Sequence, residues 1–335
     1  RAMRIGTIAY STPNGLGYQV KSYIKHLPIT KIMEVDLTPL NGLPKKNWYT
    51  NTTKVIGYPN EEQIREFCKD LDVLLFAETP LNYQFYSIAR RMRVKTAVVI
   101  NWEFFDHIIK PEQPLPDMII MPSSWHAKDA EQFCMDKGIM FRQIHHPVDR
   151  DEITYRKRDT NLVMHLAGNP ATNDRNGTWL FMQAYPNGTV ITQNDDLAYQ
   201  IRRQYRHSTV HTDVVDNNQI YQYGDIMVLP RKYGGNCLPL NEALASGMPV
   251  IMPDIEPNNN ILPKEWLVPA TKVDQFTPRT VIDIYESKPE DIASKIQELQ
   301  AMDINMLSEM ANSIAHKISW QTLKPKYIEA LESLL

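Results

Sequence analysis

One pattern constrains the fold more than any other. Short apolar runs, each too brief for a helix, alternate with segments of helical spacing. Residues 3–10 open the chain as an apolar run, "STPNGLG" follows, and "YQVKSYIKHL" then takes helical spacing. Further runs stand at "DVLLFA" (72–77), "TAVVIN" (96–101) and "DMIIMPS" (117–123), separated by "EEQIREFCKDL", "YQFYSIARRM" and "WHAKDAEQFCMDKG". Strands alternating with helices predict a parallel sheet covered on both faces. The alternation pauses at 145–160, "HHPVDRDEITYRKRDT", which is polar, charged and proline-bearing, so a linker is expected near 148–156. It then restarts. Strands are expected at 161–168, 188–192, 209–215, 225–230 and 249–253. Helices are expected at "TWLFMQAY", "DLAYQIRRQY", 240–246, 289–300 and 303–317, with "SWQTLKPKYIEALESLL" as a last amphipathic helix. The predicted class is α/β: two doubly wound, Rossmann-like domains facing across a cleft. Ligands of such sheets sit beyond the carboxyl ends of the strands, so the informative residues are those just after strands.

Composition narrows the function. The 335 residues are 43% hydrophobic with a net charge of −3, which points to neither a nucleic-acid-binding nor a membrane-binding protein. Residues 1–150 hold 19 Lys+Arg against 16 Asp+Glu, and 151–335 hold 17 against 23. An anionic partner would, on that count, meet the first half. Cys68, Cys134 and Cys237 are far apart and form no CxxC, which suits a reducing compartment without structural zinc. No apolar run nears the roughly 18 residues of a membrane span, and "RAMRIGTIAYS" lacks the apolar core of an export signal. The expected location is cytoplasmic. His145 and His146 are adjacent on an extended segment and point apart, a poor metal pair. "NDD" (194–196) reads as a helix cap. "ARRMRVK" (89–95) reads as a solvated helix end, or alternatively as a contact to a DNA backbone.

The most informative loop lies in "GDIMVLPRKYGGNCLPLNEALASGMPVIMPD", residues 224–254. A strand ends at Pro230, and residues 231–238 follow it. Gly234 and Gly235 let a ligand approach the backbone closely. Pro239 suits a first helical turn, whose unpaired N–H groups carry partial positive charge. Arg231 or Lys232 beside them suits phosphate oxygens. Glu242, one turn in, would accept hydrogen bonds from sugar hydroxyls such as a ribose. A glycine turn beside a dipole-favoured carboxylate is the alternative.

This stretch resembles the donor-binding signature of GT-B glycosyltransferases, most like the retaining family 4, with Pro230, Leu238, Pro239, Glu242, Ala243, Ala245, Gly247, Pro249 and Val250 in register. "STPNGLGYQV" resembles that family's first glycine loop, "MPSSWHAKDAEQF" its last N-domain helix, "HHPVD" its linker, "HLAGNPATNDRNGTWLFMQA" its first donor-domain unit and "ISW" the start of its terminal helix. The likeness runs over nearly the whole chain in order, and the variant loop resembles a divergent branch of viral and bacterial enzymes. It implies an acceptor-side domain at 1–150, a donor domain at 151–318 and a helix at 319–335 that returns to the first domain. It implies transfer of a sugar from a nucleotide-diphosphate sugar, most simply a UDP-sugar, to a hydroxyl on a glycan, a protein or a modified DNA base. Retention of configuration is implied, with no metal and no cofactor beyond the donor.

The resemblance also assigns residues. Gly15 and Gly17 would face the diphosphate-sugar. Lys232, Tyr233, Gly234, Gly235, Asn236, Cys237 and Leu238 would line it, and Glu242 would hold the ribose. Two departures stand out. The family's first glutamate, a sugar contact, falls on Gly234. Its diphosphate-gripping Arg and Lys fall on Asn169 and Asn176, so Arg175 and Lys232 are expected to take over. Glu78 and Glu103, each after a strand, would orient the acceptor hydroxyl or hold sugar hydroxyls; rim or capping carboxylates are the alternative. Trp102 would stack on a sugar or base, or pack in the core. A nucleotide-sugar epimerase or hydrolase, and a nucleotide-sugar-binding protein without turnover, remain competing readings.

Overall fold

The computed structural model describes residues 1–168 and 172–335, which divide into two compact units. Unit 1 comprises residues 1–145 and 323–335, and unit 2 residues 146–322.

Unit 1 runs β1 (Ile5–Ala9), α1 (Gly15–His26), β2 (Ile29–Asp36), α2 (Thr38–Asn41), β3 (Thr53–Ile56), α3 (Glu61–Cys68), β4 (Val73–Ala77), α4 (Gln84–Arg91), β5 (Lys95–Val99), α5 (Trp102–Ile108), β6 (Met118–Met121), α6 (Ala127–Lys137) and β7 (Met140–Gln143). Its seven parallel strands lie in the order β3-β2-β1-β4-β5-β6-β7. The central strands β1, β4 and β6 are buried along their whole length, because helices cover both faces. Helix starts are encoded locally. Asn14 accepts from the Gly17 N–H at 2.8 Å, and Asn60 with Gln63 forms a reciprocal capping box on α3.

Unit 2 runs β8 (Val163–Leu166), α7 (Thr178–Ala184), β9 (Thr189–Ile191), α8 (Asp195–Gln204), β10 (Thr209–His211), α9 (Asn217–Ile220), β11 (Ile226–Val228), α10 (Leu238–Ala245), β12 (Val250–Pro253), β13 (Leu267–Val268), β14 (Thr271–Phe276), β15 (Ile282–Glu286), α11 (Pro289–Gln300), α12 (Ile304–Lys317) and α13 (Trp320–Glu332). Six parallel strands take the order β10-β9-β8-β11-β12-β13, and β14 with β15 forms a separate antiparallel hairpin. The unit boundary falls inside α13. Tyr327, on that helix, packs its ring 5.7 Å from Tyr23 of α1. Among the described residues, no helix is long and apolar enough to cross a membrane.

The α/β class stands as expected: two doubly wound parallel sheets. Several details differ. Helix 240–246 begins two residues earlier, at Leu238, because Pro239 sits in the first turn where its missing N–H is harmless. The strand expected at 209–215 stops at His211. Glu103 follows β5 as expected and lies in the first turn of a helix, α5. The interior strand β2, the edge strands β3, β7 and β13 and the β14–β15 hairpin add to the expected set.

Candidate functional site

Each sheet has one point where its strand order reverses, and there the loops leaving two neighbouring strands diverge and leave room for a ligand. In unit 2 the point lies between β8 and β11. The loops after these strands carry Arg175 and residues 229–237. His165 on β8 joins the two strands: Nδ1 contacts the Val228 carbonyl at 2.8 Å and Nε2 the Thr178 hydroxyl at 2.9 Å. Burial lowers its pKa to about 4, so it is a neutral structural residue.

The cations converge on Gly234, whose φ of 134° suits glycine alone. A Cβ there would meet Arg175 Nη2 at 2.5 Å and Arg231 Nη2 at 2.6 Å. Two guanidinium groups thus occupy the space that a side chain at 234 would need. Arg175 stacks 4.9 Å over the Tyr233 ring, and its backbone carbonyl accepts from the Lys232 N–H at 2.9 Å. The Tyr233 hydroxyl donates to the Thr172 carbonyl, and its ring meets Phe276 of the hairpin edge-on. Arg231 donates to the carbonyls of Gly235 and Asn236, at 3.4 and 3.3 Å. Lys232 reaches Glu286 at 3.0 Å and Asp174 at 4.0 Å, which ties the loop to the hairpin. Asp174 also accepts from the N–H groups of Thr178 and Trp179, and burial raises its pKa. A cavity of about 350 Å³ opens beside the Arg175 loop on the side of α8, lined by Asp174, Arg175, Asn176, Trp179, Asn194 and Asp196 among others; residues 229–242 do not line it. Asn176 donates to the Ala167 carbonyl at 2.8 Å. Asn169 lies outside the described residues.

Cys237 is the N-cap position of α10, and Leu238 and Pro239 begin it. Glu242 stands one turn in and accepts the Tyr221 hydroxyl at 2.7 Å on Oε2. Burial pushes its carboxyl up to about 7, against the pull of that hydrogen bond. Tyr221 is fully buried, and Arg158 holds it in place. Arg158 Nη1 donates to the Tyr221 and Gly224 carbonyls at 2.7 and 2.6 Å, and Nη2 to the Ser246 carbonyl at 2.7 Å. One guanidinium therefore fastens the turn before β11 to the end of the helix that carries Glu242. Sequence reading missed Tyr221, Arg158 and Glu286, which lie too far along the chain for any spacing to signal them.

In unit 1 the reversal lies between β1 and β4. The loop after β1 leads into Gly15 and Gly17, in the first turn of α1. A Cβ on Gly17 would fall 1.9 Å from the Thr12 carbonyl oxygen, so its own loop requires glycine there; Gly15 faces open space. Glu78 follows β4 with a left-handed backbone, φ 63°. Its Oε1 accepts from the Asn101 side chain at 2.9 Å, while Oε2 is enclosed without a hydrogen-bond partner among the described residues. Burial pushes this carboxyl up to about 8; the hydrogen bonds from Asn101 oppose the rise and the charge of Glu103 adds to it. Left-handed non-glycine residues cost about 1–3 kcal/mol and gather at functional sites. Trp102 stacks on Phe105 and His126 at 5.3 and 4.7 Å, so it is an aromatic layer at the strand ends. The structure thus groups Arg175 with residues 231–238 and Glu242 in unit 2, and Gly15, Gly17, Glu78 and Glu103 in unit 1.

No protein-family model matches the chain, and no curated protein matches it in sequence. Solved structures do match in fold. Sucrose-phosphate synthase from Thermosynechococcus elongatus aligns over 99% of both chains with a TM-score of 0.66 at 12% identity. Anabaena HepE, solved with UDP and glucose, aligns over 99% of this chain and 100% of its own, with a TM-score of 0.66 at 10% identity. The GtfA/B complex matches at 16% identity and a TM-score of 0.60, with 82% of this chain covered; this chain spans 60% of that one. These proteins are GT-B glycosyltransferases, and the two parallel-sheet units described above form that fold.

Proposed function

We propose that the protein is a glycosyltransferase. It binds a nucleotide-diphosphate sugar, a UDP-sugar, in unit 2 and moves the sugar to an acceptor hydroxyl held by unit 1. One observation carries this reading: Arg175 and Arg231 meet at Gly234, at the reversal of the unit 2 sheet, with Glu242 one turn into the following helix. Two like charges in a largely buried loop suit a diphosphate of about two negative charges. HepE, of the same fold, is solved with UDP-glucose.

Arg175 and Lys232 hold the diphosphate, with Lys232 exchanging Glu286 for a phosphate oxygen. The backbone of residues 233–238 lines the diphosphate, and the Oε1 of Glu242 accepts from the ribose. Cations and N–H groups aimed at the diphosphate stabilise it as it leaves, so no protein acid is required. Glu78 and Glu103 orient the acceptor. Retention of configuration and independence of metal follow from the likeness of residues 230–250 to the retaining family. The acceptor is a glycan, a protein or a modified DNA base.

A panel of nucleotide-diphosphate sugars tests this, first by thermal shift and then by nucleotide release with and without acceptors. One donor that stabilises the protein and releases its diphosphate only with an acceptor is the expected result. Release of free sugar without acceptor would mark a hydrolase. Binding without turnover across a broad acceptor panel would mark a binding protein.

A further inference from the structure

The β14–β15 hairpin stands apart from the main sheet of unit 2, and β14 is exposed along most of its length. Its ties to the loop after β11 gather on two neighbouring residues. The Tyr285 N–H donates to the Lys232 carbonyl at 3.0 Å, and Phe276 meets the Tyr233 ring edge-on with centroids 5.1 Å apart. Glu286, the last residue of β15, reaches the Lys232 ammonium at 3.0 Å through Oε1. Asp174 stands farther off, at 4.0 Å, and its carboxylate already accepts from the first turn of α7. The closer pair is unequal in setting: the Lys232 side chain is 11% exposed and that of Glu286 36%. An ion pair with one partner in water contributes little to stability. The backbone of Lys232 is held separately, since its N–H donates to the Arg175 carbonyl at 2.9 Å. Anchoring the hairpin therefore does not account for the placement of Glu286.

We propose that Glu286 competes with the diphosphate for Lys232 and thereby speeds release of the product nucleotide. The inference rests on the transferase reading above, in which Lys232 leaves Glu286 for a phosphate oxygen. An ammonium with three donors on a flexible stem passes between two anions without a change of backbone. A diphosphate that binds through Lys232 first breaks the pair, so its apparent affinity falls with the fraction of molecules in which Lys232 is free. After transfer the same carboxylate retakes the ammonium, and the nucleotide diphosphate loses one of its cations as it leaves. Without such a competitor, Arg175, Arg231 and Lys232 together would hold the product tightly, and product release limits turnover in many enzymes. Glu286 acts through Lys232 and is a positioning residue.

The test uses UDP as the probe and the full chain carrying Glu286→Gln, Lys232→Met, both together, or Asp283→Asn. Glutamine keeps the size of Glu286 and drops its charge. Asp283 lies on the same strand and pairs with Lys272 at 3.0 Å, so its substitution removes an equal charge without freeing Lys232. The readouts are the UDP Kd by calorimetry and the dissociation rate by stopped flow. Glu286→Gln is expected to bind UDP about 5-fold more tightly, chiefly through slower dissociation. Asp283→Asn should change neither quantity, and Glu286→Gln should add nothing in the Lys232→Met background. Unchanged or weaker UDP binding in Glu286→Gln would overturn the proposal and leave the transferase reading standing. An equal gain in Asp283→Asn, the mark of a general field, or a gain that persists without Lys232 would do the same. If UDP binds neither the parent nor Glu286→Gln, the donor reading falls and the proposal with it.

Discussion

At the reversal of its sheet, unit 2 gathers Arg175, Arg231 and Lys232. At the reversal of its own sheet, unit 1 sets a neutral glycine-bearing turn and the half-buried acid Glu78, with Glu103 in the first turn of α5. Net charge runs the other way: residues 1–150 are the basic half, with 19 Lys+Arg against 16 Asp+Glu, and 151–335 the acidic one, with 17 against 23. Summed charge describes how a molecule behaves in a distant field. A ligand a few ångströms away responds to what converges on it. Most of the basic excess of the first half lies on solvated surface, such as residues 89–95 at the end of α4, while unit 2 folds its few decisive cations inward.

The contrast can be broken from either side. The largest effect is expected from Arg175→Ala, which removes a charged hydrogen-bonding partner of the diphosphate. A loss of about 1.5–3 kcal/mol per such bond corresponds to roughly 10- to 150-fold in kcat/KM. Glu242→Ala should weaken donor binding by about 1–3 kcal/mol, and Tyr221→Phe should follow it with a smaller loss. Unchanged donor affinity in both, by calorimetry, would remove the ribose assignment. Unchanged turnover in both Arg175→Ala and Lys232→Ala would remove the diphosphate assignment, and with it the contrast between the units.

The next effect concerns the two glycines of unit 1. Gly17→Ala forces a Cβ against the Thr12 carbonyl and should cost about 1–3 kcal/mol of stability. Gly15→Ala meets nothing and should leave the unfolding midpoint nearly unchanged. Equal midpoints for the two variants would mean that this loop relaxes freely and does not hold a fixed shape.

A slope against pH bears on the same contrast. Burial raises the Glu78 carboxyl to about 8 in the folded protein, from an ordinary value of 4.5. The folded chain therefore binds more protons than the unfolded one between these values, and stability falls as pH rises through that window. Glu78→Gln removes this loss. The variant should gain on the parent from about pH 5 upward, with the gain levelling off above pH 8. Parallel stability curves for parent and variant would show that Glu78 is ionised at neutral pH. Unit 1 would then present a fixed negative charge, not a neutral acid.

Part of this was legible in the chain. Buried central strands such as "VLLFA" and "MIIM" read as unbroken apolar runs and declared themselves. Edge strands did not. "TKVI" and "MFRQ" mix polar with apolar residues, because one side of an edge strand is solvated. The strand "TKVDQF" of the hairpin is exposed along most of its length, so hydrophobic patterning has nothing to report. The loop at 231–238 was legible through its glycine pair and its proline, which are backbone requirements and therefore local. The meeting of Arg175 with Arg231 was not, because it joins loops after two strands that become neighbours only in the sheet.

The helix α13 has a consequence for anyone who would divide or recombine this protein. The backbone of Trp320, at its start, is bonded to the Val148 carbonyl in unit 2, while Tyr327, seven residues later, packs on Tyr23 of unit 1. Unit 1 is therefore not a contiguous stretch of gene. An expressed fragment ending at residue 145 would bare the ring of Tyr23. A chimera that exchanges unit 2 between relatives needs two seams, and the second falls within a helix. There a junction one residue too long or too short turns every later side chain by about 100°.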